Sequence, residues 1–227
     1  MQTPYFMRPG LPERLDTGKH PQVMSDSPLH GRRRTAEVLR EIIREVVTVD
    51  IDDGELASLA DALVPLRDRL AGLPRIKRDN SGLHTREHAG ERYGRTPLYD
   101  RDPLIGLSNP LAPPLRDIEN TDRRQWEVVF GDAYGGHPGL AHGGYVSAVL
   151  DHVLGVVAAG DGVATMTGTL TTRFLLPTPL NTRLVCHGKV DRIEGRKVFC
   201  SAVLETEREV IADADGIYIR VDPSRYG

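Results

Sequence analysis

Apolar residues recur at intervals of three and four between Thr35 and Val49, at Val38, Leu39, Ile42, Ile43, Val46 and Val47. That is the stripe of an amphipathic helix with one face to bury. A second stripe, Leu56, Leu59, Ala60, Leu63, Val64 and Leu70, follows Asp52, Asp53 and Gly54, which can turn the chain and cap a new helix. Together they predict an antiparallel helical pair over residues 32–73, with Pro65 kinking or shortening its second member. Upstream, residues 1–31 place Pro4, Pro9, Pro12, Pro21 and Pro28 among charges with neither hydrophobic period, and read as a flexible arm. Downstream, residues 74–104 are polar and glycine-rich and read as a linker.

Residues 105–227 are patterned differently. Asn109 to Pro114 carries three prolines and reads as a stiff extended segment. Gln125 to Tyr134 alternates Trp126, Val128 and Phe130 with polar neighbours, the mark of a half-buried strand. A glycine-rich turn, Gly135 to Gly139, precedes a segment from His142 to Ala159 that is apolar almost all round, and such a helix belongs in a core. Four strand-like runs follow: Ala164 to Leu176, Thr182 to Asp191, Lys197 to Glu205 and Val210 to Val221. One strand, one buried helix and then only strands predict an α+β fold, an antiparallel sheet curled round the helix rather than repeated βαβ units.

Composition narrows the functional classes. Of 227 residues, 29 are Lys or Arg and 32 are Asp or Glu, so a net charge of -3 supplies no global field for nucleic acid or an anionic membrane. Cys186 and Cys200 are too few for a disulfide framework and lack zinc-ribbon or redox spacing, which fits a reducing compartment. The proline-rich start does not resemble a secretory signal, and no uninterrupted apolar run reaches bilayer length. A cytoplasmic protein without a membrane span is the expectation.

The most informative string runs from Leu140 to Asp151. Gly143 and Gly144 stand at the first turn of the apolar helix, where uncovered backbone N–H groups can meet a ligand oxygen at the positive end of the helix dipole. Close packing alone would also account for both glycines. Asp151 lies in the middle of the same helix, where a carboxylate is costly unless it is paired or put to use, although taken singly a solvent-facing or capped acid accounts for it equally well. One helix would separate His142 from Asp151 by ~13 Å along its axis, so the two cannot act on one carbon. A two-fold dimer with antiparallel central helices brings the glycine end of one protomer to the acid of the other.

With these residues in view, the chain resembles the PaaI-like hotdog-fold acyl-CoA thioesterases. The resemblance rests on His142-Gly143-Gly144, on Asp151 nine residues after the histidine, and on Met166-Thr167 opening the next strand. It rests also on the strand end Arg173 to Leu180 and on the turn Asp191 to Lys197, and it covers roughly Asn109 to Val221. It implies a long helix wrapped by an antiparallel sheet, and a homodimer or a dimer of dimers that hydrolyses an acyl-CoA thioester; the helical pair lies outside the match, as an N-terminal extension. By position it implies Asp151 as base or nucleophile, Gly143 and Gly144 as the oxyanion loop, His142 beside them and Thr167 near the carboxylate. Arg196 and Lys197, with Arg173 assisting, would meet the coenzyme A phosphates. Coenzyme A is then part of the substrate, and the chemistry needs neither a metal nor a separate cofactor.

Other readings are weaker. His84-Thr85-Arg86-Glu87-His88 spells an inverted zinc-peptidase motif but sits in the polar linker rather than on a helix. Asp213, Asp215 and Gly216 mimic part of a calcium loop without its first acid or its spaced glutamate. The two cysteines fit packed thiols, and no Gly-x-Ser-x-Gly elbow is present. Two rivals to hydrolysis are a hotdog hydratase or dehydratase acting on an enoyl or β-hydroxyacyl thioester, and a non-catalytic acyl-CoA or acyl-carrier binding protein.

Overall fold

The computed structural model describes residues 29–75, 99–113, 115–118, 125–160 and 163–222. The expected arm up to residue 28, most of the linker and the His84 to His88 motif lie outside the described residues. Two helices come first, α1 (His30–Thr48) and α2 (Asp53–Ala71). Asp52 caps α2 by accepting a hydrogen bond from the Glu55 amide at 3.0 Å. The helix runs on through Pro65 rather than ending there. The proline has no N–H to give the Asp61 carbonyl, and it stands on a helix with no buried residue.

The helices do not share one core. α1 is anchored by Arg33, whose Nε and Nη2 each lie 2.7 Å from Asp100 Oδ1, and Asp100 is 1% exposed. Ser108 donates to the other Asp100 oxygen. Arg40 donates to the carbonyls of Asn109 (2.9 Å) and Leu107 (3.3 Å). α2 buries nothing: Leu59, Leu63, Leu66 and Leu70 are all exposed, so its stripe is not packed on α1 as an intimate pair requires.

The rest of the chain forms β1 (Arg116–Asp117), β2 (Gln125–Val129), a 3-10 turn (Asp132–Tyr134), β3 (Gly135–His137), β4 (Leu140–Ala141), α3 (Gly143–Ala159), β5 (Thr165–Phe174), β6 (Arg183–Glu194), β7 (Lys197–Glu205) and β8 (Val210–Arg220). Six strands make one antiparallel sheet in the order β1-β2-β6-β7-β8-β5, while β3 and β4 pair separately. The expected strand from Gln125 to Tyr134 is shorter: β2 ends at Val129 and the chain enters the 3-10 turn at Asp132.

Alternation decides which face meets the helix. β7 buries every second residue (Val198, Cys200, Ala202 and Leu204), and β8 offers Ala212, Ala214 and Tyr218 at matching positions. Trp126, Val128 and Phe130 close one side. Against this face α3 buries Val146, Val149, Leu150, Val153 and Leu154, each at 0% exposure. Full burial of such a side chain contributes roughly 1.5–3 kcal/mol, so this seam fixes where α3 lies. The antiparallel sheet, the long helix against it and the N-terminal helices are those the sequence led us to expect.

Two sheet edges remain. β1 is only two residues long, whereas β5 presents ten residues whose far side meets no strand among the described residues.

Candidate active site

Asp151 stands on the half-buried side of α3 opposite β5 and β8. Thr167 of β5 and Tyr218 of β8 are direct cross-strand partners, so both hydroxyls reach the helix at one level. Thr167 Oγ1 donates to Asp151 Oδ1 at 3.0 Å and Tyr218 Oη donates to the same oxygen at 2.7 Å, with the Asp151 carbonyl 2.9 Å from the phenol. Oδ2 carries no hydrogen bond among the described residues. Burial, and after it the hydrogen bond to Asp151, raise the phenol well above its ordinary value, so Tyr218 remains a protonated donor.

The slot for the Tyr218 ring is made by two glycines. A Cβ on Gly216 would lie 2.5 Å from Tyr218 Cε2, and one on Gly155 would lie 3.6 Å from Cε1. The ring therefore lies over Gly216 and passes beside α3 one turn beyond Asp151. Next to the acid, burial lowers the pKa of the His152 imidazole, with the charges of Asp102 and Asp151 acting in the opposite direction.

The glycine turn is built from the hairpin before it. The His142 amide donates to the Tyr134 carbonyl at 2.9 Å, and β3 passes so close that a Cβ on Gly136 would lie 2.9 Å from His142 Cα. His142 is the N-cap of α3: its Nδ1 accepts the Gly144 amide at 3.0 Å. The Gly144 amide is thus already engaged by the residue expected to stand beside it. The Gly143 amide has no acceptor among the described residues, and the Phe174 ring lies where a Gly143 side chain would begin, 3.2 Å from that point. Of the two expected amide donors, one is available and one is capped.

Gly143 and Asp151 share α3, eight residues apart, so ~12 Å of helix axis separates them within a protomer. The structure brings Asp151 and Thr167 together and sets His142, Gly143 and Gly144 apart from them.

The basic residues divide as well. Arg196 and Lys197 sit at the β6–β7 turn, where Gly195 takes a φ of 58°. Val198, one strand position from Lys197, pairs with Tyr218, so this turn lies beside the Asp151 end of the sheet. No carboxylate among the described residues holds either side chain. Arg173 differs from expectation. It is held by Asp213 (2.5 Å) and Asp215 (2.7 Å) on the sheet face away from α3. The register shifts between Thr167 and Thr169, so Leu170 packs inward and Arg173 points outward although it lies an even number of residues from Thr167.

Asp213 and Asp215, read in sequence as a fragment of a calcium loop, are thus partners of Arg173. Cys186 and Cys200 are 0% and 2% exposed, and burial raises the Cys200 thiol to about 11, as for inert packed thiols. Among the described residues no group of three or more His, Cys, Asp or Glu side chains could hold a metal ion, and no helix is long and apolar enough to cross a membrane. Tyr218 is the participant that sequence reasoning missed, and its signal was Gly216, two residues earlier on the same strand face.

Known proteins resemble this chain in sequence and in fold. Residues 138–212 match the thioesterase superfamily model. The chain is 31% identical over 139 residues to bovine acyl-coenzyme A thioesterase THEM4, covering 60% of this chain and 56% of that protein. It is 34% identical over 92 residues to the mouse THEM4, covering 40% of each. The chain thus spans about half the length, or less, of these curated relatives. A crystal structure of a thioesterase superfamily protein superposes with a TM-score of 0.68 at 28% identity, covering 83% of this chain and 94% of that one. Since residues 105–227 are little more than half of the chain, that likeness extends into the helical extension. The fold is the hotdog fold, and the likeness to the thioesterase superfamily model lies in residues 138–212.

Proposed function

We propose that this hotdog-fold domain hydrolyses an acyl-CoA thioester at a site shared between two copies of the chain. The observation that carries the reading is the state of α3: its acid is held on one oxygen with the other unspent, while its only unspent glycine amide lies ~12 Å away. Neither half suffices for hydrolysis, which needs a polarised carbonyl and a delivered nucleophile. An antiparallel second copy supplies each half with the other.

The free edge of β5 supports that partner. A long exposed strand is an invitation to pairing, and β5 carries exposed Met166 and Phe174 along its length. Joining two β5 edges about a two-fold axis continues the sheet across the dimer. It also sets two α3 helices side by side along the stripe Gly144, Ala148, Asp151 and Gly155, which lies outside the protomer's buried seam.

In this reading the thioester carbonyl oxygen lies at the Gly143 amide, where the helix dipole adds to the hydrogen bond; removal of such a donor commonly costs roughly 10²–10³ in rate. Asp151 Oδ2 of the partner acts on the carbonyl carbon, directly or by taking the proton of an attacking water. Collapse of the tetrahedral intermediate breaks the C–S bond: with water as nucleophile the proton taken by Asp151 passes to the departing thiolate, and with direct attack a water then hydrolyses the acyl-aspartyl anhydride, freeing the acid and supplying the thiolate's proton. Thr167 and Tyr218 hold the carboxylate, and His142 fixes the turn. Arg196 and Lys197 are placed to meet the coenzyme A phosphates; Arg173, committed to two acids, has no role in this step. A panel of acyl-CoAs followed by free-thiol release tests the reading. Turnover by the wild type and its loss in Asp151→Asn are expected, and equal turnover by both proteins contradicts the assignment.

A further inference from the structure

A cavity of about 380 Å³ lies between α1 and the 3-10 turn Asp132–Tyr134, within the range of ligand pockets, ~300–1,000 Å³. Ile43 and Arg40 of α1 form one wall, Leu111 and the end of β2 another, and Tyr134 and Tyr145 a third. The last wall belongs to the candidate site. Tyr145 directly follows Gly144 on α3, the Tyr134 carbonyl accepts the His142 amide, and the two rings meet edge to face at 4.9 Å. The cavity therefore begins where the glycine turn ends.

We propose that this cavity receives the acyl chain of the thioester, so that α1, an element outside the matched residues 138–212, sets chain-length preference. The inference rests on the thioesterase reading and adds to it the part of the substrate that the extension selects. Charge decides which half of the thioester enters. The four arginines of the lining are matched by four acids; Arg183 is 2.7 Å from Glu127, and Arg40 is spent on backbone carbonyls. Such a wall offers no surplus positive charge to the phosphates of coenzyme A, whereas its rings, prolines and aliphatic side chains suit a hydrocarbon. Burial raises the Tyr134 phenol to about 12, with the Arg40 charge opposing the shift, so Tyr134 faces the cavity as a neutral phenol. The cavity is also preformed, because the Arg33–Asp100 pair and the Arg40 hydrogen bonds fix α1 in place.

The test is the chain-length profile of kcat/KM over a straight-chain series from acetyl-CoA to palmitoyl-CoA, in which a general loss of activity cancels. Ile43→Trp fills the cavity from α1 and is expected to move the optimum to shorter chains. It should lower the longest good substrate by about tenfold relative to the shorter ones, the scale of discrimination by a methylene or two in an apolar pocket. Ile43→Ala enlarges the same wall and is expected to move the optimum the other way, which keeps the proposal falsifiable if the tryptophan variant fails to fold. Hydrolysis with the same profile in wild type and both variants overturns the acyl pocket while leaving the thioesterase reading intact. Absence of hydrolysis of every thioester by the wild-type protein removes that reading, and the pocket with it.

Discussion

At the middle of α3, Asp151 has two hydroxyl donors on Oδ1 and a ring slot cut by Gly155 and Gly216 for one of them. Eight residues earlier, Gly143 presents an amide with no acceptor among the described residues, beside a second amide already capped by His142. The acid end is finished within the protomer and the donor end is not. A helix N-terminus left open beside an exposed strand edge is complete only when something else arrives. On our reading that is substrate, delivered together with the partner's acid.

The comparison can be broken at either end. The largest effect is expected from Asp151→Asn, which keeps the shape and removes the base; kcat should fall by at least about 10²-fold, measured as thiol release at saturating acyl-CoA. Gly143→Pro attacks the other end. Position 143 is the first helical residue, where proline is tolerated, and His142 already has the extended conformation that precedes proline (φ −67°, ψ 129°). This substitution deletes the one unspent N–H and shifts the exposed Phe174 ring, which lies 3.2 Å from the new Cβ, by a few tenths of an ångström; a loss of about 10²-fold in kcat with helix content unchanged by circular dichroism is expected.

Tyr218→Phe removes one of two donors while leaving the ring in its slot. A decrease in kcat of about tenfold with KM little changed is expected, since the phenol touches the carboxylate and not the substrate. Phe174→Ala should have the smallest effect, a few-fold rise in KM, because the ring covers Gly143 from one side and is itself 55% exposed. A loss in Phe174→Ala larger than that in Gly143→Pro would show that the ring, and not the amide, is what matters at this end.

Much of this was legible in the sequence, for reasons tied to particular residues. The all-round apolar character of α3 placed it in the core, and alternation along β7 and β8 named the faces that cover it. Asp151 stood out because a carboxylate in such a helix needs a reason to be there. What escaped depends on register and rotamer. Arg173 shares its parity with Thr167, so a regular strand puts both on one face; the irregularity at Gly168 separates them and gives Arg173 to Asp213 and Asp215. Tyr218 reads in sequence as one more strand residue, and only pairing with Thr167 reveals its aim. The capping of Gly144 rests on the side-chain orientation of His142, which no periodicity encodes. The exposure of α2 was equally hidden, since an amphipathic stripe promises a buried face without naming its cover.

The shared site is the central claim, and subunit complementation tests it most directly. Asp151→Asn and Gly143→Pro chains, each inactive alone, are co-expressed with different tags and the mixed species is isolated. A site built from two chains leaves every hybrid dimer with one intact glycine turn facing one intact acid, so the hybrid should recover about half of wild-type turnover. Hybrids as inactive as their parents would mean that each site lies within a single protomer, and would contradict the account.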